Sequence, residues 1–199
     1  ASDVYKRQEY APLEKAWVPV TGDNYFYIYC LWVSGSYKGK GYGKELLQSC
    51  IDDAKAQGKS GICLLSSKKK KPFLSEKKFM LKYGFKVVDT INDEYELLAL
   101  SFDGTQPQFT SNVRKQSIEG KELTIYYGVQ CPYIPNCIEQ IYNYCENNQI
   151  PLRLVEIDTL EKAKQLPCIF NNWAVFYNGK FETVHLLNEG LLKKLLQLK

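Results

Sequence analysis

The feature that most constrains this chain is the decapeptide Ser34–Gly43 (SGSYKGKGYG), which carries glycines at 35, 39, 41 and 43. Before it lies Tyr25–Val33 (YFYIYCLWV), dense in aromatic and β-branched residues, which predicts a central, largely buried strand. After it, Leu46, Leu47, Cys50, Ile51 and Ala54 recur at helical spacing over Lys44–Gln57, and Gly58 supplies a stop. Glycines between a strand and a helix let the backbone turn tightly and let a ligand approach without a Cβ in the way. The first N–H groups of the helix have no internal partner and carry the positive end of its dipole. Lys38-Gly39-Lys40-Gly41-Tyr42-Gly43 therefore reads as a cradle for a pyrophosphate, with Lys38, Lys40 and Lys44 adding charge. The competing reading is a turn that only reverses the chain. Two familiar phosphate loops are excluded by spacing: Glu45 follows Gly43-Lys44 where Gly-x-x-x-x-Gly-Lys needs Ser or Thr, and Lys44 stands where Gly-x-Gly-x-x-Gly needs its last glycine.

Elsewhere the pattern predicts alternating short elements. Residues 1–12 show no period and are expected to form a ragged end, and Ala16–Val20 is expected to be an edge strand broken by Pro19. Gly61–Leu65 reads as a second buried strand. Ser75 is expected to cap a helix running to Tyr83, with Gly84 as its stop, and Phe85–Thr90 and Tyr95–Phe102 as strands across a polar turn. Residues 103–121 lack periodicity and are taken as a linker between domains 1–102 and 122–199. The second domain reads β-α-β-α-β-β-α: strands Leu123–Val129, Leu152–Asp158, Ala174–Tyr177 and Phe181–His185, a loop leading into a helix over Tyr133–Asn147, and helices over Thr159–Gln165 and Glu189–Leu198. Asn178-Gly179 signals a type I′ hairpin. The fold class is α/β (α+β).

Composition narrows the function. The first hundred residues hold 16 basic and 12 acidic side chains and the remainder ten of each, so the net charge of +4 lies in the first half. This favours an anionic ligand there and excludes a chain-wide nucleic-acid surface, as does the lack of basic residues among Tyr25, Phe26, Tyr27 and Tyr29. No segment has the roughly 18 apolar residues of a membrane span. Seven cysteines without a Cys-x-x-Cys pair argue against a disulfide framework or a metal site and for a reducing cytoplasm. The run Lys68–Lys71 is expected to be solvated surface, the alternative being attraction of an anionic ligand. His185, the single histidine, is expected to be structural.

Leu31-Trp32-Val33, the loop Lys38–Gly43 and the amphipathic helix after it resemble the acetyl-CoA site of the GNAT N-acetyltransferases, and Phe79–Phe85 (FMLKYGF) resembles that family's later helix ending in Gly-Phe. The likeness covers about residues 16–102. It implies a mixed acetyltransferase-type sheet, acetyl-CoA as co-substrate and an amine as acceptor. It also implies that Leu31, Trp32, Val33, Lys38, Gly39, Lys40, Gly41, Tyr42, Gly43 and Lys44 bind the coenzyme. Lys38 replaces the family's usual Arg or Gln, and Met80 stands where its general-acid tyrosine often lies. Tyr83 is expected to face elsewhere. The family places a strand and two helices before the main strand, so the resemblance implies a truncated first domain, completed by a partner or by a second copy of the chain. Tyr25–Val33 contains no carboxylate. The remaining catalytic candidates are Ser66 and Ser67, acting through water, and Tyr83, with the base and acid unassigned.

Cys131-Pro132-Tyr133-Ile134 resembles the Cys-Pro-Tyr-Cys corner of thioredoxin-like domains, with Ile134 in the second cysteine's place, and Pro167 resembles that fold's cis-proline. Phe176–Phe181 (FYNGKF) resembles the YoaP-type module found after acetyltransferase domains. Cys131 before a helix is a candidate reactive thiol. Three functions stay open: an acetyl-CoA-dependent N-acetyltransferase with a positioning domain, a non-catalytic CoA-binding or interaction module, and a monothiol redox protein.

Overall fold

A computed structural model describes residues 5–72 and 74–197. The expectations for residues 1–4 and for Leu198 lie outside them. The chain divides into two compact units, Ala1–Ala16 with Val20–Phe109, and Trp17–Pro19 with Thr110–Lys199.

In the first unit the strands are β1 (Lys6–Pro12), β2 (Val20–Thr21), β3 (Tyr25–Val33), β4 (Gly61–Ser67), β5 (Lys86–Ile91), β6 (Tyr95–Ser101) and β7 (Gln108–Phe109), and the helices are α1 (Tyr42–Ala56) and α2 (Lys77–Leu81). Five strands form one sheet in the order β1-β3-β4-β6-β5, while β2 pairs with β7. Residues 6–12 are thus a strand, antiparallel to β3 from Lys6 opposite Val33 to Pro12 opposite Phe26, and not a ragged end. The strand expected over Ala16–Val20 shrinks to Val20–Thr21, because a 3-10 turn occupies Leu13–Lys15 and Pro19 precedes the pairing.

Sheet and helix hold each other through one core. Leu47, Cys50, Ile51 and Ala54, one stripe of α1, meet Phe26, Ile28, Ile62, Leu64 and Leu98 of the sheet, and Met80 and Phe85 close the cluster. Each such Leu, Ile or Phe removed from water contributes about 1.5–3 kcal/mol. The end of α1 is a Schellman turn: Lys59 N–H donates to Ala54 and Gly58 N–H to Lys55, with Gly58 at φ 62°. Gly61 permits the close approach of strands, since a Cβ there would lie 2.4 Å from the Leu100 carbonyl oxygen.

Helix α2 is shorter than expected. Its N-cap is Glu76, and Ser75 does not cap it; the Ser75 carbonyl instead accepts a hydrogen bond from Ser66 Oγ at 2.8 Å. The stretch 103–121 is not featureless either. It carries β7 and a 3-10 turn at Ser111–Lys115, anchored by buried Phe109 and Val113.

The second unit contains β8 (Leu123–Tyr127), α3 (Ile134–Asn147), β9 (Leu152–Glu156), α4 (Leu160–Lys164), β10 (Trp173–Tyr177), β11 (Lys180–Thr183) and α5 (Glu189–Leu195). The sheet order is β11-β10-β8-β9, with β8 parallel to β9 and antiparallel to β10. Apolar residues pack on both faces. Ile134, Cys137, Ile141 and Cys145 of α3 cover Leu123, Ile125, Trp173 and Val175, while Ala163 of α4 joins Ile157, Phe170, Ala174 and Phe176 on the other side. Asn178 and Gly179 both have positive φ, 51° and 73°, as a type I′ turn requires. His185 falls beyond β11, and among the described residues no peptide bond is cis, so Pro167 is trans.

Candidate functional site

Two parallel strands that stop pairing create the site. β3 and β4 are joined only from Tyr25 opposite Gly61 to Tyr27 opposite Cys63, yet β3 continues to Val33 and β4 to Ser67. The cause lies on the other edge of β3. There Tyr10 faces Ile28 and Glu9 faces Cys30, which leaves Tyr29 as the extra residue of a β-bulge. A bulge bends its strand and increases its twist. Beyond it β3 follows β1, whereas β4 follows β6 through Ser67 opposite Tyr95.

The glycine loop lies where β3 ends. Gly39 and Gly41 have φ 79° and 89°, and both are exposed. The first helical hydrogen bond of α1 is Glu45 N–H to Gly41 at 3.1 Å, and Gly41 as N-cap has no side-chain cap. Among the described main-chain bonds, none is donated by an N–H of residues 39–44. Gly39, Lys40, Gly41 and Lys44 are exposed and Tyr42 and Gly43 half-buried, and these donors are backed by the dipole of a helix of 15 residues. Lys38, Lys40 and Lys44 are exposed around them, with Lys40 Nζ 5.1 Å from the Tyr37 ring centre. Anionic oxygens would find main-chain donors and cations together here.

A cleft of about 470 Å³ runs from this loop to α2. Leu31, Trp32, Val33, Lys38, Gly39, Gly41, Tyr42, Gly43 and Lys44 line it on the β3–α1 side, and Ser75, Glu76, Phe79, Met80 and Tyr83 on the α2 side. Nine of the ten residues expected to bind the coenzyme are therefore brought together, and Lys40 lies outside the lining. Tyr83 does not face elsewhere: it lines the cleft, its ring 5.0 Å from that of Phe79. Ser66 and Ser67 are buried, donate to the carbonyls of Ser75 and Lys69, and do not line the cleft. Their role is to hold the β4–α2 loop. In the lysine run, Lys70 pairs with Glu76 at 3.1 Å and Lys71 with Glu94, while Lys68 and Lys69 are exposed. Sequence reasoning missed Arg7 and Glu9, ion-paired on β1 beside the splayed strand. Their strand has too few apolar residues to announce itself.

In the second unit Cys131 is partly buried in the turn before α3 and accepts Ile134 N–H through its carbonyl at 3.1 Å. Ile134 is a core residue. Cys137 is also buried, its thiol donates to the Leu187 carbonyl at 3.1 Å, and burial pushes its pKa up. Burial likewise pushes the Cys50 thiol to about 12 and raises Cys145 and Cys168. Iodoacetamide under native conditions is expected to modify Cys131 and Cys30 first, and the five buried cysteines only on unfolding. Peptide mass spectrometry over a time course checks this order, and early modification of Cys168 would contradict the packing described. Among the described residues there is no cluster of His, Cys, Asp and Glu able to hold a metal ion, and no helix long and apolar enough to cross a membrane.

The bulged strand, exposed glycine loop and amphipathic helix define an acetyltransferase-type unit, and comparison with known proteins agrees. The acetyltransferase (GNAT) family matches residues 9–85, and the YoaP-like family matches residues 151–194. The chain is 39% identical over 190 residues to the uncharacterized N-acetyltransferase YoaP of Bacillus subtilis (strain 168), covering 94% of this chain and 76% of that protein. It thus belongs to the GNAT family of N-acetyltransferases, whose acyl donor is acetyl-CoA, and carries a YoaP-like segment toward its C-terminal end. Among solved structures, a GNAT-family protein from Desulfovibrio desulfuricans is 17% identical, with a TM-score of 0.41 over 51% of this chain and 63% of its own. The PaiA N-acetyltransferase of Thermoplasma acidophilum, solved with coenzyme A, is 23% identical, with a TM-score of 0.35 over 41% of this chain and 48% of its own. The chain spans less than two thirds of either solved protein.

Proposed function

We propose that this protein transfers the acetyl group of acetyl-CoA to a primary amine. The observation that carries the reading is the set of main-chain donors at residues 39–44 that make no main-chain hydrogen bond, beside a cleft that runs along the unpaired end of β3. The amides hold the pyrophosphate, with Lys38, Lys40 and Lys44 offsetting its charge. The pantetheine lies along Leu31–Val33, where β4 no longer occupies the edge of β3. Attack of the neutral amine on the thioester then needs a group to accept the ammonium proton and one to protonate the thiolate. Of the two hydroxyl residues on the α2 wall, Ser75 and Tyr83, the phenol of Tyr83 suits the second task, in place of the two buried serines.

The second unit is read as a thioredoxin-like domain that binds or positions the acceptor. Its strand order, with β10 antiparallel to β8, supports that architecture. With Ile134 in the core where a second thiol would stand, dithiol exchange has no resolving cysteine at that position. The seven thiols, five of them buried, suit a reducing cytoplasm.

Calorimetry tests the donor site. Acetyl-CoA and CoA are expected to bind and inorganic phosphate is not. Absence of any binding by CoA at about 1 mM overturns the reading, because specific sites of this kind lie well below that concentration. Binding without transfer to any amine favours a non-catalytic CoA-binding module.

A further inference from the structure

β1 carries charged residues to the sheet face opposite α1. Lys6 pairs with Glu45 at 2.9 Å and Tyr10 donates to Asp53 at 2.8 Å, both on α1. Side chains alternate along a strand, so Arg7 and Glu9 point away from that helix. Trp32 stands opposite Arg7 and Cys30 opposite Glu9, and directly paired residues share a face. Trp32 is 44% exposed and also borders the cleft, which puts this face beside the end of β3 where the thioester would lie. Arg7 and Glu9 form an ion pair, their side chains 33% and 28% exposed.

We propose that this pair receives the acetyl acceptor, and that the acceptor is a small zwitterion of the α-amino acid type, its carboxylate on Arg7 and its ammonium on Glu9. The inference rests on the acetyl-CoA reading above. The two side-chain tips converge, so an inserted zwitterion exchanges one ion pair for two. A planar guanidinium suits a carboxylate bidentately, as an ammonium would not. The pair is neutral overall and gives neither a polycation nor a polyanion an advantage. Trp32, beside Arg7, offers an aromatic face to an apolar side chain. Glu9 takes one ammonium proton, and the freed amine nitrogen bonds to the acyl carbon. The carbon–sulfur bond breaks, and the CoA thiolate leaves to take a proton from Tyr83 or water. The amide nitrogen gives up its second proton to solvent, and a net proton is released with the acetylated product and CoA thiol.

The experiment follows CoA thiol release from acetyl-CoA with a panel of common amino acids, their amides and their decarboxylated amines. For at least one side chain the free amino acid is expected to exceed its amide and its amine in kcat/KM by about tenfold or more, within the range measured for removal of a charged hydrogen-bond partner. Arg7→Met is expected to erase that advantage through KM, lowering transfer to the free amino acid more than to its amide or its amine, and Glu9→Gln to lower kcat for all acceptors. Circular dichroism and unchanged acetyl-CoA affinity verify that the variants fold, and the wild-type panel tests the assignment independently of them. Equal or better transfer to amines lacking a carboxylate overturns the proposal, as does an Arg7→Met effect that is uniform across the panel. Transfer to none of them while acetyl-CoA binds overturns it and leaves the donor site standing; no binding of acetyl-CoA overturns the donor reading as well.

Discussion

Replacing Gly41 with valine is expected to weaken CoA binding about 100-fold while the protein remains folded. Gly41 caps α1 at φ 89°, in the left-handed region that a β-branched residue occupies only with strain. Nothing lies within 4 Å of a Cβ built there, so the new side chain meets no wall and the core beneath is untouched. The strain, roughly 1–2 kcal/mol, is relieved by turning the backbone to negative φ. That rotation redirects the neighbouring amides, and two misdirected charge-assisted hydrogen bonds at about 1.5 kcal/mol each account for the loss. Gly58 provides the control. It has φ 62° and equally open surroundings, but sits at the opposite end of α1 from the cleft. Gly58→Val should lower stability by a similar amount and leave CoA affinity unchanged. Calorimetry and thermal unfolding of both variants separate the effects, and wild-type affinity in Gly41→Val would mean that the pyrophosphate is held elsewhere.

What made this site legible was punctuation. β3 is a dense aromatic run, α1 shows its stripe through Leu47, Cys50, Ile51 and Ala54, and the glycines between them have few other uses. The same holds for the hairpin at Asn178-Gly179, where the two residue types dictate the turn. β1 was illegible because its residues, KRQEYAP, show no apolar alternation; what makes it a strand is a non-local partner, β3, presenting free main-chain groups. The splay was hidden for a related reason, since a bulge at Tyr29 is a property of two strands and not of either sequence. Ser75 lost the cap to Glu76 because its carbonyl is engaged by Ser66. The position of Tyr83 follows from spacing, because a helix expected to run to Tyr83 puts Phe79 and Tyr83, four apart, on one face; α2 ends at Leu81, yet the two rings still meet at 5.0 Å across the turn that follows.

Replacing Lys77 with methionine is expected to destabilise the first unit by about 3–5 kcal/mol, the range for breaking a buried ion pair from one side. Lys77 begins α2 and reaches Glu96 of β6 at 2.6 Å; Glu96 is 6% exposed, and its second carboxylate oxygen has no partner among the described residues. Methionine keeps the length and apolar stem of lysine, so the loss is chiefly that of the cation. The reverse change, Glu96→Gln, should cost only about 1–2 kcal/mol, because the Lys77 side chain is 26% exposed and can turn its ammonium to water. The double variant should recover most of the loss, since a neutral amide under methionine leaves no uncompensated charge. Hydrogen exchange in β4 and β6 reads the first unit alone, which matters because two compact units need not unfold in one step. The pair also bears on function: Ser75 and Glu76, immediately before Lys77, form part of the cleft wall, so Lys77→Met should loosen CoA binding where Glu96→Gln does not. A Lys77→Met protein as protected as wild type would show that solvent already satisfies Glu96 and that apolar packing of Phe79 and Met80 holds α2 against the sheet.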